Sequence, residues 1–160
     1  MNINPCSYNM NTQSSFFNAL WAEARTRFSN QLVDLKEIDL TKKLGDSPNS
    51  AGFLIQHIAD VELLFAKNVF MQPGIEVHAK TVIAKQDTGE WTNLPALVEY
   101  QLYAFNALEK AILAQRDGDW QTEIATKEFG TKTKAEALGR IVSHTAYHAG
   151  QLAIIIKYGV

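Results

Sequence analysis

Along the last quarter of the chain, apolar side chains return every three or four residues. Ala137, Ile141, His144, His148, Leu152 and Ile155 form one stripe, which ends at Lys157 and Gly159. This is the period of an α-helix with one buried face. Its start is marked by the stretch TKAE: Thr133 and Glu136 have the spacing of a capping box, in which hydroxyl and carboxylate each satisfy a free backbone N–H. Two of the chain's four histidines stand on that stripe, where leucines would pack with no polar groups to satisfy.

Three further segments share the period. Phe17, Leu20, Trp21, Ala24, Phe28, Leu32 and Leu35 predict a helix over residues 14–38. Gly45 and Pro48 then break the chain, and Ser50 is placed to cap a second helix over 51–71, whose inward stripe is Phe53, Leu54, His57, Val61, Leu64 and Asn68. A third begins near Asn93, accepts Pro95 in its first turn, carries Leu97, Gln101, Ala104, Leu108 and Ile112 on one face, and stops around Gly118. Four such helices predict an all-α protein, a four-helix bundle with up-down connectivity where the loops are short. Two connections are long. Residues 73–92 are predicted to hold a short helix or to cover something. Residues 119–131 read as extended, with Thr122, Ile124 and Thr126 favouring strand. The polar, Asn-rich residues 1–13 predict a flexible N-terminal arm, leaving 14–160 as a single domain of sufficient length for a sizeable core.

Charge narrows the possible partners. Fifteen Lys and Arg against 17 Asp and Glu give a net charge of −2, with no basic cluster. The electrostatic attraction that drives binding to nucleic acid or to an anionic membrane surface is therefore missing. The N-terminus has neither the charged nor the apolar region of a secretory signal, and no run of about 18 apolar residues exists to span a bilayer. Cys6 is the sole cysteine. No internal disulfide can form, a reducing cytoplasm is the expected location, and Cys6 reads as a surface thiol without a role.

On a helix, His144 and His148 share a face with Cβ atoms about 5–6 Å apart. Two imidazoles so placed can converge on one divalent metal, and His57, in the middle of another apolar stripe, is the other histidine placed to face the centre. Three neutral imidazoles and a water make an open site of the kind catalytic zinc uses. The spacing equally admits three core histidines, each satisfied by hydrogen bonds to backbone or hydroxyls. A metalloprotease reading fails, because Thr145 stands where that motif needs a glutamate directly after the first histidine. There is no phosphate-cradling loop, dinucleotide fingerprint or Cys-x-x-Cys, and no serine stands out as a nucleophile. His78, between Glu76 and Lys80 in the 73–92 connection, reads as a solvated surface residue.

The stretches LIQHIADVELLF and IVSHTAYHAGQLAII together resemble the DinB-like (DinB/YfiT-type) metalloenzyme superfamily: one histidine on the second helix, then His-x-x-x-His followed by Gly-Gln on the last. The resemblance covers about residues 14–158. It implies a bundle of that type with long connections after helices 2 and 3, with His57, His144 and His148 as ligands of a divalent metal, nickel or zinc. Some relatives are thiol transferases or isomerases using a low-molecular-weight thiol, and many are dimers. A metal-dependent transferase acting on a small electrophile is thus implied, with a metal-dependent hydrolase of a small substrate, or a non-catalytic bundle that holds a metal or small ligand, left open. Gly150 and Gln151 also match. Gly150, in mid-helix, suggests close approach of another helix. Gln151 is placed to hydrogen-bond a ligand, or equally to lie on the surface, and Asp60 either orients an imidazole or is a solvated acid.

In a thiol transferase the metal would favour the nucleophilic thiolate at neutral pH. The substrate would enter from a cleft covered by residues 73–92, with Trp91, Tyr100 and Phe105 as candidate walls, though each equally suits plain core. Three tryptophans and eight phenylalanines exceed what four stripes need, which predicts a homodimer formed through helix faces.

Overall fold

The computed structural model describes residues 12–160. The expected arm therefore lies outside the described residues, Cys6 included, except at its end: Thr12 caps the first helix, its hydroxyl accepting from the Ser15 N–H at 3.2 Å. That helix, α1, runs Gln13–Ser29, nine residues short of the predicted end. Single-turn 3₁₀ segments follow at Asn30–Leu32 and Glu37–Asp39. Leu35 and Leu40 are both buried in this broken stretch, whereas on a continuous helix they would fall about 140° apart. The buried face of α1 is also rotated from the expected one. Leu20 is 61% exposed, and Ser14, Trp21, Arg25 and Phe28 point inward.

The second helix, α2, spans Ala51–Leu64, with the Ser50 hydroxyl accepting from the Phe53 N–H at 3.1 Å. Eleven of its fourteen residues are buried, so it is the central helix and has no solvated face. Its continuation, Phe65–Val69, is wound as a π-turn. Asn68 on this turn is exposed, yet it lines one cleft together with His57, Val61 and Leu64 of its predicted stripe. The 73–92 connection holds the short helix α3, Lys80–Ala84. Helix α4, Leu94–Leu113, begins at Asn93 and buries every residue of its predicted stripe. It ends before Gly118, and the extended segment that follows is a hairpin, with β1 (Glu123–Thr126) antiparallel to β2 (Gly130–Thr133). Helix α5, Lys134–Tyr158, opens on the Thr133–Glu136 capping box. Among the described residues, no helix is long and apolar enough to cross a membrane.

The chain is thus mostly helical with one small sheet. The long helices meet in a ring, α1 touching α4 and α5, and α2 touching the same two. One polar knot ties all four together inside it. The Arg25 guanidinium donates to both Glu62 carboxylate oxygens at 2.8 and 2.9 Å and to the Gln101 side-chain oxygen at 2.9 Å. The Thr145 hydroxyl donates to Glu62 from α5. The rings of Trp21, Phe28 and Phe105 pack around the guanidinium. Burial pushes the Glu62 carboxyl upward, and the Arg25 charge opposes this. Removing either member would strand the other's charge, which costs roughly 3–5 kcal/mol.

Close backbone approach occurs at Gly52, not at Gly150. A Cβ at Gly52 would strike the Trp91 carbonyl oxygen, whereas one at Gly150 would meet nothing within 4 Å. Gly150 is exposed on the outside of α5. The two positions are therefore expected to respond to alanine with opposite signs in urea unfolding. Gly52→Ala should destabilise by about 1–3 kcal/mol, and Gly150→Ala should stabilise by up to about 1 kcal/mol through helix propensity. A loss of stability in Gly150→Ala would contradict the open environment.

Candidate metal centre

Helix periodicity puts His144 and His148 one turn apart on α5, and the packing of α5 on α2 brings His57 against them. The ring centroids of His57 lie 5.1 Å from His144 and 4.9 Å from His148, with 4.4 Å between the two α5 rings. The Nε2 atoms of His57 and His144 are 3.3 Å apart. One nitrogen from each of the three imidazoles lies within 4.8 Å of the others, and among the described residues no other group of three His, Cys, Asp or Glu side chains converges in this way. His78 is exposed and takes no part.

The outward-facing nitrogens explain how the rings are aimed. His57 Nδ1 is 3.1 Å from the Thr81 hydroxyl, and that hydroxyl donates its own proton to Asp60 Oδ2 at 2.6 Å. Thr81 can therefore only accept from His57, which assigns the proton to Nδ1 and leaves the Nε2 lone pair free. His148 Nδ1 is 2.6 Å from Gln151 Oε1, an acceptor, so it too carries its proton on Nδ1. The Gln151 amide is itself positioned by donating to the Tyr147 hydroxyl at 3.1 Å. His144 Nδ1 is buried with no partner, so in the metal-free chain its proton belongs on Nε2, which donates to the His57 Nε2 lone pair at 3.3 Å. A cation between the rings would replace that hydrogen bond, with the His144 proton shifted to Nδ1. The donor set fits a divalent metal: three neutral imidazoles converge with one nitrogen each, and two of the rings are oriented from outside.

Asp60 is fully buried and is no solvated acid. Its carboxylate accepts from Gln56, from the Thr81 N–H and hydroxyl, and from the Tyr100 hydroxyl at 2.8 Å. It orients His57 through Thr81, not directly. Burial, with the Asp60 charge added to it, raises the Tyr100 phenol and keeps it protonated as a donor. Thr81 carried no signal in the sequence beyond its place in a connection long enough to cover something.

The cleft beside the imidazoles holds about 200 Å³. Its walls are mainly apolar, with Val61, Leu64, Phe65 and Val69 from α2 and the π-turn, Val82 from α3 and Phe129 from the hairpin turn, and Asn68, Thr126 and Glu128 add polar groups. The expected wall residues are elsewhere. Trp91 is buried against Phe53, Phe105 stacks on Trp21, and Tyr100 is bonded to Asp60. The aromatics nearest the cleft thus come from Phe65 and Phe129, and neither the π-turn nor the hairpin fold-back was readable from helical periodicity.

Burial sets the protonation of the cluster. It pushes His57 from 6.5 down to about 4, with repulsion from His148 adding to this and Asp60 opposing it. It pushes His144 down to about 3, with His148 and His57 adding to this. His148 is lowered as well, against the hydrogen bond to Gln151. The rings are therefore neutral and ready as ligands at neutral pH, and proton competition for them sets in below the 6.5 expected of free imidazole. In this window the unfolded chain binds protons that the folded chain refuses, so stability falls as pH drops from 6.5 toward 3. Histidine C–H NMR titration of metal-free protein is expected to show His57 and His144 protonating below pH 5, with unfolding free energy declining across the same range. Midpoints near 6.5 would show a cluster open to water.

The sequence profile of the DinB superfamily matches residues 20–152. That span runs from α1 to the final turns of α5 and includes all three clustered histidines. No curated protein and no solved structure matches the chain. The profile covers well over half of the sequence, and the chain belongs to the DinB superfamily.

Proposed function

We propose that His57, His144 and His148 bind one divalent metal ion, nickel or zinc, through their Nε2 atoms, and that the protein uses it on a small substrate as a thiol S-transferase or isomerase. The observation that carries this reading is the convergence of three neutral imidazoles, two with their outer nitrogens occupied, beside an apolar cleft. A bound divalent ion supplies Lewis acidity that favours thiolate over thiol at neutral pH. The chain supplies the rest. Asp60 and Thr81 hold His57, Gln151 holds His148, and the apolar walls exclude water from an electrophile lying against them. A metal-dependent hydrolase would use the same ligands. A purely structural or carrier role has less support, because the cleft leaves one side of the cluster accessible.

In this reading the ring of long helices is a four-helix bundle of the DinB/YfiT-like type, working as a cytoplasmic homodimer. Support for the dimer comes from Phe16 and Leu20 on α1 and Leu102 on α4, all more than half exposed on helices that pack together.

Elemental analysis of protein purified without a metal-affinity tag and reconstituted with zinc or nickel tests the site. One ion per chain is expected in the wild type and in His78→Ala. His148→Ala should lose most of the metal, and Thr81→Val should bind it about 10-fold more weakly or worse while remaining folded by circular dichroism. Light scattering on the same preparations should give twice the chain mass. Full occupancy in His148→Ala, or an empty wild type, would reduce the three histidines to core residues.

A further inference from the structure

On the α5 side of His144 the cleft opens into a second chamber of about 360 Å³, which shares Phe65, Glu128 and His144 with the first. Its new walls are Arg140, Ser143 and Tyr147. Arg140, His144 and Tyr147 follow at i, i+4 and i+7, so guanidinium, imidazole and phenol leave the helix on one face. The character of the space changes across this line. The first chamber is walled mainly by aliphatic and phenyl groups, with Asn68, Thr126 and Glu128 among them, and the second adds Arg140, Ser143 and Tyr147.

Among the described residues, the Arg140 guanidinium makes no hydrogen bond and no ion pair. It rests against the Phe129 ring, 6.0 Å from the centroid, and that ring also lines the apolar chamber. The Tyr147 hydroxyl accepts from Gln151 and keeps its own proton free to donate. The Ser143 hydroxyl is spent on the Arg140 carbonyl at 2.9 Å. Two free donors, one of them charged, therefore line a space that the Glu128 carboxylate also lines. The Glu128 carboxylate opposes a second negative charge on the same ligand, so the chamber suits a single anion.

We propose that this chamber is a carboxylate subsite. It takes the single anionic group of a small amphipathic substrate through Arg140 and Tyr147, while the substrate's apolar part lies against Phe65, Val69 and Phe129. The planar fork of arginine suits a carboxylate, which it can grip through two parallel N–H bonds. A ligand spanning both chambers passes His144 at its middle. The catalytic meaning of that placement rests on the metal reading above, whereas the binding preference does not.

Isothermal titration of the full chain, zinc-loaded and metal-free, with hexanoate and with hexan-1-ol tests the subsite. The wild type should prefer hexanoate by about two- to fivefold, the scale of a partly exposed ion pair. Arg140→Gln, at an exposed position that the fold does not need, should erase that preference by weakening hexanoate alone. Both results should hold with and without zinc. An Arg140→Gln protein that binds hexanoate as the wild type does, or a wild type without preference, would overturn the proposal. A wild type that takes no zinc yet keeps an Arg140-dependent preference would defeat the metal reading and uphold the subsite.

Discussion

Two carboxylates lie wholly inside α2, and the arrangement of the other elements follows from the need to answer their charge. Asp60 and Glu62 are both fully buried. Two residues apart, they face different sides of the helix, and each gathers donors from a different part of the chain. Unanswered, a buried carboxylate would be driven to neutralise or to unfold the helix around it. Glu62 is met by Arg25 of α1 and Thr145 of α5, with Gln101 of α4 completing the guanidinium's bonds. Asp60 is met by Tyr100 of α4 and Thr81 of α3. Such a buried pair is weak evidence for added stability. Its effect is on register: each long helix contributes one named polar group and can slide along its neighbours only by abandoning it.

The same constraint reaches the site. Because Asp60 takes the Thr81 proton, Thr81 can only accept from His57, and the imidazole is left with its lone pair turned toward His144. The connection between α2 and α4 is thereby anchored at its buried threonine, which places Val82 in the cleft wall. On the opposite side, Gln151 performs for His148 what Thr81 performs for His57, one helical turn from the imidazole and on the same helix. Burial keeps all three rings neutral. The environment that makes the imidazoles poor bases is the one that leaves them available to a cation.

How much of this the sequence disclosed depended on whether the signal was local. Caps at Ser50, Asn93 and Thr133 were readable because a cap bonds within three residues, and the α4 and α5 stripes were readable because each is periodic and buried on one side only. The histidine pair followed from a single spacing, and His57 from its place on a second stripe. What escaped was non-local or aperiodic. Arg25 reads as a surface charge unless Glu62 is known to be opposite it. Helix α2 reads as amphipathic although it is buried nearly all round, so periodicity left Asp60 open between orienting an imidazole and lying in solvent and gave Glu62 no role. Gly52 and Gly150 were indistinguishable without knowing which one touches the backbone near Trp91. Thr81, Phe129 and Arg140 come from the connections and from the outer turns of α5, where no period marks a residue as facing a cleft.

The central claim is that three imidazoles, and no other side chains, hold the metal. X-ray absorption at the zinc edge of the reconstituted protein tests it most directly, because imidazole scattering reports how many rings bind. The account requires three imidazole ligands and no sulfur. A zinc environment containing sulfur, or fewer than three imidazoles, would contradict it.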